Sequence, residues 1–280
     1  WEGTILHYDG TDWSKMSTGN IFVGFLDIWG SANDDVFAVG ENGTILHYNG
    51  TDWNQMSSGL TNPPALNSVW GSANDDVFAV GDDNTIIHYD GQNWSAMSSA
   101  LNEPLLKFKH IWGNANNNVF TVGDFGIIMH YNGQNWSLMS SGVPMTIGFL
   151  GIWGNSNSNV FTVGTNGTII KYNGSNWTTI SGGVSGWFES IWGTSSNNVF
   201  AVSIHGTVAH YDGTRWTEET PDGNEDMLFD IWASSSTDVF AVGDSGVIFH
   251  YNGTSWTKMS NPSSKRLYAV WGSASNDVFA

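Results

Sequence analysis

The chain contains no cysteine, few basic residues and no long apolar run. The absence of cysteine excludes disulfides and thiolate metal sites. Eight Lys and Arg against 26 Asp and Glu give a net charge of −18, so anionic nucleic acids and anionic membrane surfaces are repelled. No stretch approaches the roughly 18 apolar residues that span a bilayer. We therefore expect no nucleic-acid partner and no direct membrane insertion.

Charged residues make up only 12 % of the 280 residues, and Ser, Thr, Asn and Gly supply much of the polar sequence. This composition is typical of exported proteins, so we expect a secreted or cell-surface protein of the bacterial type. Neither an initial methionine nor a signal peptide is visible. We therefore expect the chain to be part of a longer or processed polypeptide, or of a larger assembly.

A repeat of about forty residues runs along the whole chain. Trp-Gly or Trp-Ala recurs seven times, at spacings of 39 to 42 residues, and a second tryptophan follows with the same period. The first set is Trp29, Trp70, Trp112, Trp153, Trp192, Trp232 and Trp271, and the second is Trp13, Trp53, Trp94, Trp136, Trp177, Trp216 and Trp256. A fixed period of this size indicates one supersecondary unit stacked on copies of itself.

Each copy predicts four short strands. Starting at Phe25, one copy reads FLDIWGS, ANDDVFAVG, ENGTILHYNG and TDWNQMSSG, and each piece has a β-branched or aromatic centre closed by Gly, Asn, Asp or Ser. Four antiparallel strands per forty residues form one propeller blade. The first residues of the chain supply the second half of a repeat whose first half ends the chain. We therefore predict an all-β, seven-bladed β-propeller, closed by pairing of the N- and C-terminal strands.

We predict a single domain over residues 1–280. Its blades are expected at about 25–60, 66–101, 108–142, 149–183, 188–220, 228–261, and 267–280 completed by 1–19. The middle strands are near-continuous apolar runs, which is typical of sheets covered on both faces. The two tryptophans of each blade are predicted to act as wedges between blades.

One blade illustrates a resemblance to known propeller repeats. The matching residues are Leu26, Ile28, Val36, Phe37, Ala38, Val39, Gly43, Ile45, Tyr48, Asn49, Gly50 and Trp53. The pattern resembles the repeat of bacterial exported propellers described as BNR-like or YCF48-like, and it is similar to the tectonin repeat. The resemblance covers the whole chain and implies a propeller. Because tectonin-type propellers are commonly lectins, it also implies carbohydrate binding.

Histidine precedes tyrosine in six of the seven copies, and lysine replaces it in the other. These residues are His7, His47, His88, His130, Lys171, His210 and His250. Because they belong to the third strands of different blades, they do not converge on one ion at the distance of about 2 Å that a metal requires. We predict packed side chains that form hydrogen bonds with neighbouring groups.

The position two before each first tryptophan is mostly small or polar. Its residues are Asp27, Ser68, His110, Gly151, Ser190, Asp230 and Ala269. We predict that they face a narrow central channel that holds ordered water, with a bound cation as the alternative.

The sequence gives no catalytic constellation. A sialidase-type site needs several arginines to clamp a carboxylate, and this chain has only Arg215 and Arg266, which the predicted strand order places on opposite faces. The acidic residues mostly occupy repeated turn positions rather than one asymmetric pair. No Gly-x-Ser-x-Gly motif or phosphate loop is present. We expect a non-catalytic binding module, with a glycoside hydrolase-like enzyme as the most distant alternative.

Departures from the repeat are candidate ligand contacts, because the scaffold does not demand them. They cluster in the connectors between blades and in the turns on the same face, and include Phe22, Phe125, Trp187, Phe188 and His205. An exposed aromatic ring in a loop can stack on the apolar face of a sugar. The first hypothesis is therefore lectin-like glycan recognition by this face. The alternative is a protein partner or a structural role within a larger surface assembly.

The densest acidic loop contains Asp222, Glu225 and Asp226. Since Ca²⁺ takes six to eight oxygen ligands, this loop is the candidate for a structural calcium site, although no Asp-x-Asp-x-Asp-Gly loop is present. No other cofactor is expected.

Overall fold

The structure is built almost entirely of β-strands. A computed structural model describes residues 3–19, 21–180, 183–221 and 223–280. In these residues, 28 strands form seven antiparallel four-stranded sheets. The helical segments described are four short 3₁₀ turns, at Glu41–Gly43, Asp124–Gly126, Thr165–Gly167 and Asp244–Gly246. No helix among the described residues has the length and apolar character needed to cross a membrane.

Blades 1 to 6 each use four strands that follow one another in the chain, and blade 7 uses the strands at the two chain ends. Blades 1 to 3 contain β3 (Phe25–Ala32), β4 (Asp35–Gly40), β5 (Ile45–Tyr48), β6 (Trp53–Met56), β7 (Leu66–Ala73), β8 (Asp76–Gly81), β9 (Ile86–Tyr89), β10 (Trp94–Ala96), β11 (Phe108–Ala115), β12 (Asn118–Gly123), β13 (Ile128–Tyr131) and β14 (Trp136–Met139). Blades 4 to 6 contain β15 (Phe149–Ser156), β16 (Asn159–Gly164), β17 (Ile169–Tyr172), β18 (Trp177–Thr179), β19 (Phe188–Ser195), β20 (Asn198–Ser203), β21 (Val208–Tyr211), β22 (Trp216–Glu218), β23 (Leu228–Ser235), β24 (Asp238–Gly243), β25 (Ile248–Tyr251) and β26 (Trp256–Lys258). Blade 7 contains β27 (Trp271–Ala274), β28 (Asp277–Phe279), β1 (Leu6–Tyr8) and β2 (Trp13–Lys15).

Blade 7 is assembled from both ends of the chain. Its strand order is β2-β1-β28-β27, and β1 pairs antiparallel with β28. The Leu6 N–H donates to the Ala280 carbonyl at 2.7 Å, and the Ala280 N–H donates to the Leu6 carbonyl at 3.0 Å. The prediction of an all-β, seven-bladed propeller closed by its terminal strands is confirmed.

The first strand of every blade lies innermost. The strands β3, β7, β11, β15, β19, β23 and β27 each contact the equivalent strand of the next blade and form a closed ring. The second strands are buried on both faces, and Val36, Phe37, Ala38 and Val39 are each at most 1 % exposed. Their continuous apolar sequence follows from a neighbouring blade on either side.

The turns between third and fourth strands follow from the Asn-Gly or Asp-Gly pair that each contains. In blade 1, the Asn49 side chain accepts hydrogen bonds from the N–H groups of Thr51 and Asp52, at 3.0 and 2.9 Å. Gly50 has φ +86°, a conformation that residues with a Cβ rarely adopt. The short polar side chain and the glycine together fix the hairpin register.

Both tryptophan sets pack across the seams between blades. The first-set tryptophan of each blade approaches the next blade: a Cβ added to Gly71 would lie 2.5 Å from Cη2 of Trp29. The second-set tryptophan meets the preceding blade, since Trp94 packs edge-on against Phe37 with ring centroids 6.1 Å apart. The prediction that tryptophans act as wedges between blades is confirmed.

The histidines before tyrosine join the strands of their own blade. The Nε2 of His47 lies 2.6 Å from Oδ1 of Asp35, and the Ser31 hydroxyl donates to Oδ2 of the same carboxylate at 2.5 Å. The predicted hydrogen-bonding role is confirmed in the six copies that carry histidine. In the seventh, the Lys171 ammonium lies 4.6 Å from the centroid of the Phe161 ring instead.

Candidate functional site

A β-bulge in the innermost strands of blades 1 to 6 directs one side chain per blade towards the mouth of the central channel. In blade 1, Phe25 pairs with Gly40 and Asp27 with Val39, so Leu26 is the extra residue. The inner strands of blades 2 to 6 have the same register shift. A bulge re-aims a side chain, and bulges are enriched beside functional sites. The bulged residues, with the equivalent residue of blade 7, are Leu26, Asn67, Lys109, Leu150, Glu189, Phe229 and Tyr268.

These seven side chains line a depression of about 230 Å³, which we call the channel mouth. The channel mouth opens on the face that carries the connectors between blades. The turns between second and third strands lie on the same face, because they form hydrogen bonds with the residues just before the bulge. In blade 1 the Glu41 N–H donates to the Gly24 carbonyl at 3.0 Å. We call this side of the disc the connector face.

The bulged position varies in residue type, whereas the position that precedes it does not vary beyond Phe and Leu. The position before the bulge is Phe or Leu in every blade, whereas the bulged position holds six residue types in seven blades. Residues at this position were not among the predicted ligand contacts, and Leu26 was named only as a match to the repeat, although the variation is visible in the sequence alone. The sequence could not predict the direction of these side chains, because their direction depends on the bulge.

Lys109 and Glu189 give the channel mouth both signs of charge. Burial raises the pKa of Glu189, and the nearby Lys109 ammonium acts in the opposite direction. Neither side chain has an ion-pair partner among the described residues. Their neighbour Lys107 is engaged, since its Nζ lies 2.5 Å from Oδ2 of Asp82. Lys109 and Glu189 therefore remain available to a ligand.

Two aromatic rings form another side of the channel mouth. Phe229 and Tyr268 have ring centroids 5.2 Å apart with a tilt of 31°. The guanidinium carbon of Arg266 lies 5.9 Å from the Phe229 centroid, and its Nε donates to Oδ1 of Asp244 at 2.9 Å. The rings thus offer an apolar surface beside a guanidinium that is already paired with Asp244.

Two buried carboxylates lie one residue below the bulge and bridge neighbouring blades. Asp27 accepts hydrogen bonds from the Ser68 hydroxyl at 2.6 Å and the Val69 N–H at 2.8 Å. Asp230 accepts from the Ser190 hydroxyl at 2.5 Å and the Val270 N–H at 2.7 Å. Burial raises the pKa of each carboxyl to about 6. These groups fasten the inner ring across its seams.

The channel closes in below this layer. There it narrows to a space of about 40 Å³ lined chiefly by isoleucine, valine and tryptophan. In the layer of Asp27 and Asp230 above this space, Nδ1 of His110 is buried and has no hydrogen-bond partner among the described residues. Burial lowers the pKa of His110, against the opposing effect of Asp230. The channel mouth is therefore a depression with a polar floor above a narrow apolar passage.

The residues predicted as glycan contacts do not form one site. Phe125 is 55 % exposed and borders an apolar groove on blade 3. Trp187 is 46 % exposed in the connector before blade 5, and its carbonyl accepts a hydrogen bond from Ile204 at 3.2 Å, next to His205. Phe22 is 65 % exposed in the connector before blade 1. Among the described residues, no aromatic contact joins these side chains.

Phe188 has a different environment from the other four predicted contacts. It is 0 % exposed and holds the position before the bulge that Phe108 and Phe149 occupy in their blades. Its side chain belongs to the core, so it does not meet a ligand that approaches from solvent. Of the adjacent residues Trp187 and Phe188, only Trp187 therefore remains a candidate ligand contact.

The predicted calcium loop is only partly described. Asp222 lies outside the described residues. Oδ2 of Asp226 lies 3.4 Å from Nζ of Lys258. The backbone N–H of Asp226 donates to the side-chain oxygen of Asn224 at 3.0 Å. Among the described residues, which do not include Asp222, no group of three or more acidic or histidine side chains is suited to a metal ion. Calcium binding by Glu225 and its neighbours stays a prediction.

A closed propeller with a varied, chemically mixed depression on its connector face is the architecture of a binding module. The sequence matches the model of the Tectonin domain family over residues 27–233, and the chain belongs to that family. A comparison with curated proteins gave no match.

Solved structures share the fold at low sequence identity. A structure described as "YCF48 bound to D1 peptide" is 15 % identical, with a TM-score of 0.76 over 94 % of this chain and 93 % of the other. YCF48 from Cyanidioschyzon merolae is 17 % identical, with a TM-score of 0.68 over 91 % and 94 %. The WD40 β-propeller domain of Doa1 is 12 % identical, with a TM-score of 0.75 over 98 % and 96 %.

Proposed function

We propose that the protein is a non-catalytic module that binds a polypeptide segment of a partner protein at the channel mouth. The observation that carries this proposal is the bulged position, which directs six residue types from seven blades into one depression. The scaffold restricts the preceding position to Phe or Leu, but it does not fix the residue at the bulged position. Variation among side chains that converge on one depression is expected of a recognition surface.

The chemistry of the channel mouth suits a polypeptide. Lys109 and Glu189 offer partners for charges of either sign, while Phe229 and Tyr268 offer apolar surface. The unpartnered Nδ1 of His110 lies at the floor, where a donor or acceptor from a ligand would satisfy it. Peptides present such mixtures of charge, amide and apolar groups. A propeller of the same fold is described as bound to a peptide, which supports this choice of ligand class.

The test is selection of short random peptides on the immobilised protein, followed by affinity measurement with channel-mouth variants. Lys109→Ala and Glu189→Gln should each weaken binding by about tenfold, as expected when one partner of a buried polar contact is lost. Lys15→Ala and Glu218→Gln on outer strands β2 and β22 are the matched controls and should leave the affinity unchanged. If no selected peptide loses affinity in Lys109→Ala or Glu189→Gln, the channel mouth is ruled out as the binding site.

A second candidate function is glycan recognition by the connector before blade 5. Trp187 is a half-exposed tryptophan with His205 beside it, and a tryptophan ring can stack on the apolar face of a sugar. Membership of the Tectonin domain family is in keeping with this reading. A glycan array should then give signals that Trp187→Ala abolishes and Phe22→Ala preserves. If no glycan binds the unaltered protein, this candidate is discarded.

We further propose that the module acts outside the cell or at its surface, within a larger assembly. The support is compositional: eight basic residues in 280 and a polar sequence rich in Ser, Thr, Asn and Gly. Digestion of intact source cells with an external protease tests this directly. Loss of the protein before cell lysis is the expected result, and full protection would contradict the proposal.

A further inference from the structure

An apolar groove lies on blade 3, away from the channel mouth. Its most exposed large side chains are Leu105 (81 %), Met145 (74 %), Leu138 (58 %) and Phe125 (55 %). We call these four residues and the space of about 840 Å³ between them the blade-3 groove. Seven large apolar side chains are exposed in the described part of the chain, and four of them meet here. Scattered exposed apolar residues are ordinary, but a cluster of this kind marks an interaction site.

The repeat does not require apolar residues at the positions that form this groove. At the position of Leu138 on the outer strand, the other blades carry Lys15, Gln55, Ala96, Thr179, Glu218 and Lys258. At the position of Phe125 in the turn between second and third strands, other blades carry Asn42, Asp83, Asn166 and Ser245. Blade 3 therefore departs from a polar pattern at both places, and the two departures border the same space.

The backbone gives a second, independent indication. Eight non-glycine residues of the described chain have positive φ, and six of them are Asn, Asp or Ser, which favour or tolerate that conformation in turns. The other two are Phe125 (φ +61°) and Ala100 (φ +60°), and both border the blade-3 groove. A bulky residue held in a left-handed conformation is strained, and such strain clusters at ligand sites. Holding the exposed ring of Phe125 at this position therefore lowers the free energy of unfolding.

We propose that the blade-3 groove binds an amphipathic segment of a partner protein, one that presents large apolar side chains next to lysine or arginine. The apolar part of this assignment comes from the four groove side chains. The basic part comes from charge: Glu103 is the one charged residue that lines the groove, and the chain has a net charge of −18. The adjacent Asp82 is already paired with Lys107, whereas Asp83 and Asp124 have no ion-pair partner among the described residues.

The same charges argue against a second copy of this chain as the occupant. Two molecules that each carry a net charge of −18 repel one another as they approach. A basic segment is instead attracted to the acidic turns of blades 2 and 3, and its apolar side chains then enter the groove. This inference shares with the proposed function only the idea of a polypeptide partner, since its surface and its residues are separate.

The test uses short random peptides displayed on phage and selected on the intact protein. Clones that Lys109→Ala or Glu189→Gln weakens are set aside as channel-mouth binders. The affinity of the remaining clones is then measured for the double variant Phe125→Asn/Leu138→Thr, which carries the residues that blade 4 has at these positions. Recovered peptides should contain at least two large apolar residues together with lysine or arginine. Their affinity should fall by at least about tenfold in the double variant, as for the loss of central apolar anchors. Phe22→Ser/Met227→Ser, which alters exposed apolar residues outside the groove, should leave it unchanged.

Three outcomes overturn the proposal. The first is that recovered peptides bind the double variant as tightly as the unaltered protein while its circular dichroism shows it to be folded. The second is that the recovered peptides lack basic residues. The third is reversible self-association in sedimentation that the double variant abolishes, because a second copy would then be the occupant. Lys109→Ala and Glu189→Gln separate this inference from the proposed function, because groove-binding peptides should be insensitive to both.

Discussion

The imidazole Nε2 of His7 lies 2.7 Å from the carboxylate Oδ1 of Asp277, although 270 positions separate the two residues. In blades 1 and 2 the equivalent pairs, His47 with Asp35 and His88 with Asp76, join residues only 12 positions apart. The same contact therefore serves two purposes. Within a continuous blade it fixes strand register, and in blade 7 it also holds the two ends of the chain together.

His7→Ala should loosen the closure of the ring. The hydrogen bond to Asp277 is lost and a half-buried carboxylate is left without that partner, which typically costs about 1–3 kcal/mol. Amide hydrogen exchange should accelerate most at Leu6 and Ala280, which bond to each other across the junction. His88→Ala is the matched control, because its blade stays covalently continuous. Unchanged exchange at the junction in His7→Ala would show that the pair does not secure closure.

The two buried carboxyls of the inner ring should make stability depend on pH. The pKa of Asp230 is raised to about 6 in the folded protein by burial and by Asp27, against roughly 3.9 in the unfolded chain. The folded state therefore binds more protons between these values, and the free energy of unfolding falls as pH rises from about 4 to about 6.

Asp230→Asn should remove the share of this dependence that Asp230 contributes. The amide can still accept from the Val270 N–H and donate to the Ser190 hydroxyl. Near pH 4 the variant should match the unaltered protein, and above pH 6 it should be more stable by roughly 1–3 kcal/mol. Urea denaturation across this range measures the effect. A difference that is the same at every pH would contradict the assignment.

Gly71→Ala should strain the seam between blades 1 and 2. The added Cβ would lie 2.5 Å from Cη2 of Trp29, so the indole ring must move, at a cost of about 1–3 kcal/mol. Blade 6 already has alanine at this position, and there the Trp192 indole N–H donates to the Ala233 carbonyl at 3.1 Å. Ala233→Gly is the natural counterpart and should cost less, about 0.5–1 kcal/mol. Equal denaturation midpoints for Gly71→Ala and the unaltered protein would be inconsistent with this packing.

Phe125→Asn should stabilise the protein. Asparagine tolerates the left-handed conformation that phenylalanine resists, and the ring is 55 % exposed, so little burial is lost. The expected gain is about 1 kcal/mol in the free energy of unfolding. Ala100→Gly, at the other strained position, should act in the same direction because glycine occupies it in blades 1 and 3. A lower melting temperature in both variants would show that neither residue is strained.

The repeat made much of the fold predictable, because the same local interactions recur in every copy. The Asn49-Gly50 turn, the His47–Asp35 contact and the tryptophan wedges each depend on residues at fixed spacings. Pairing of the chain ends followed from the same spacing, since Tyr8 and Val278 belong to complementary halves of one repeat.

The candidate site was less predictable, because it depends on direction and burial. The bulge at Leu26 is set by the pairing of Phe25 and Asp27 with the next strand, which the sequence does not reveal. Phe188 is buried and Trp187 is half-exposed, although the two residues are adjacent in the sequence. Phe125 was noticed as a departure from the repeat, but its partners Leu105, Leu138 and Met145 come from three different segments that only the fold brings together.

The central claim is that the connector face is the recognition surface and that the channel mouth is its core. Hydrogen exchange of the protein with a selected peptide bound tests this directly. The account predicts protection around Lys109, Glu189 and Tyr268, with none at the turns between third and fourth strands on the opposite face. Protection confined to those opposite turns, such as residues 49–52, would contradict it.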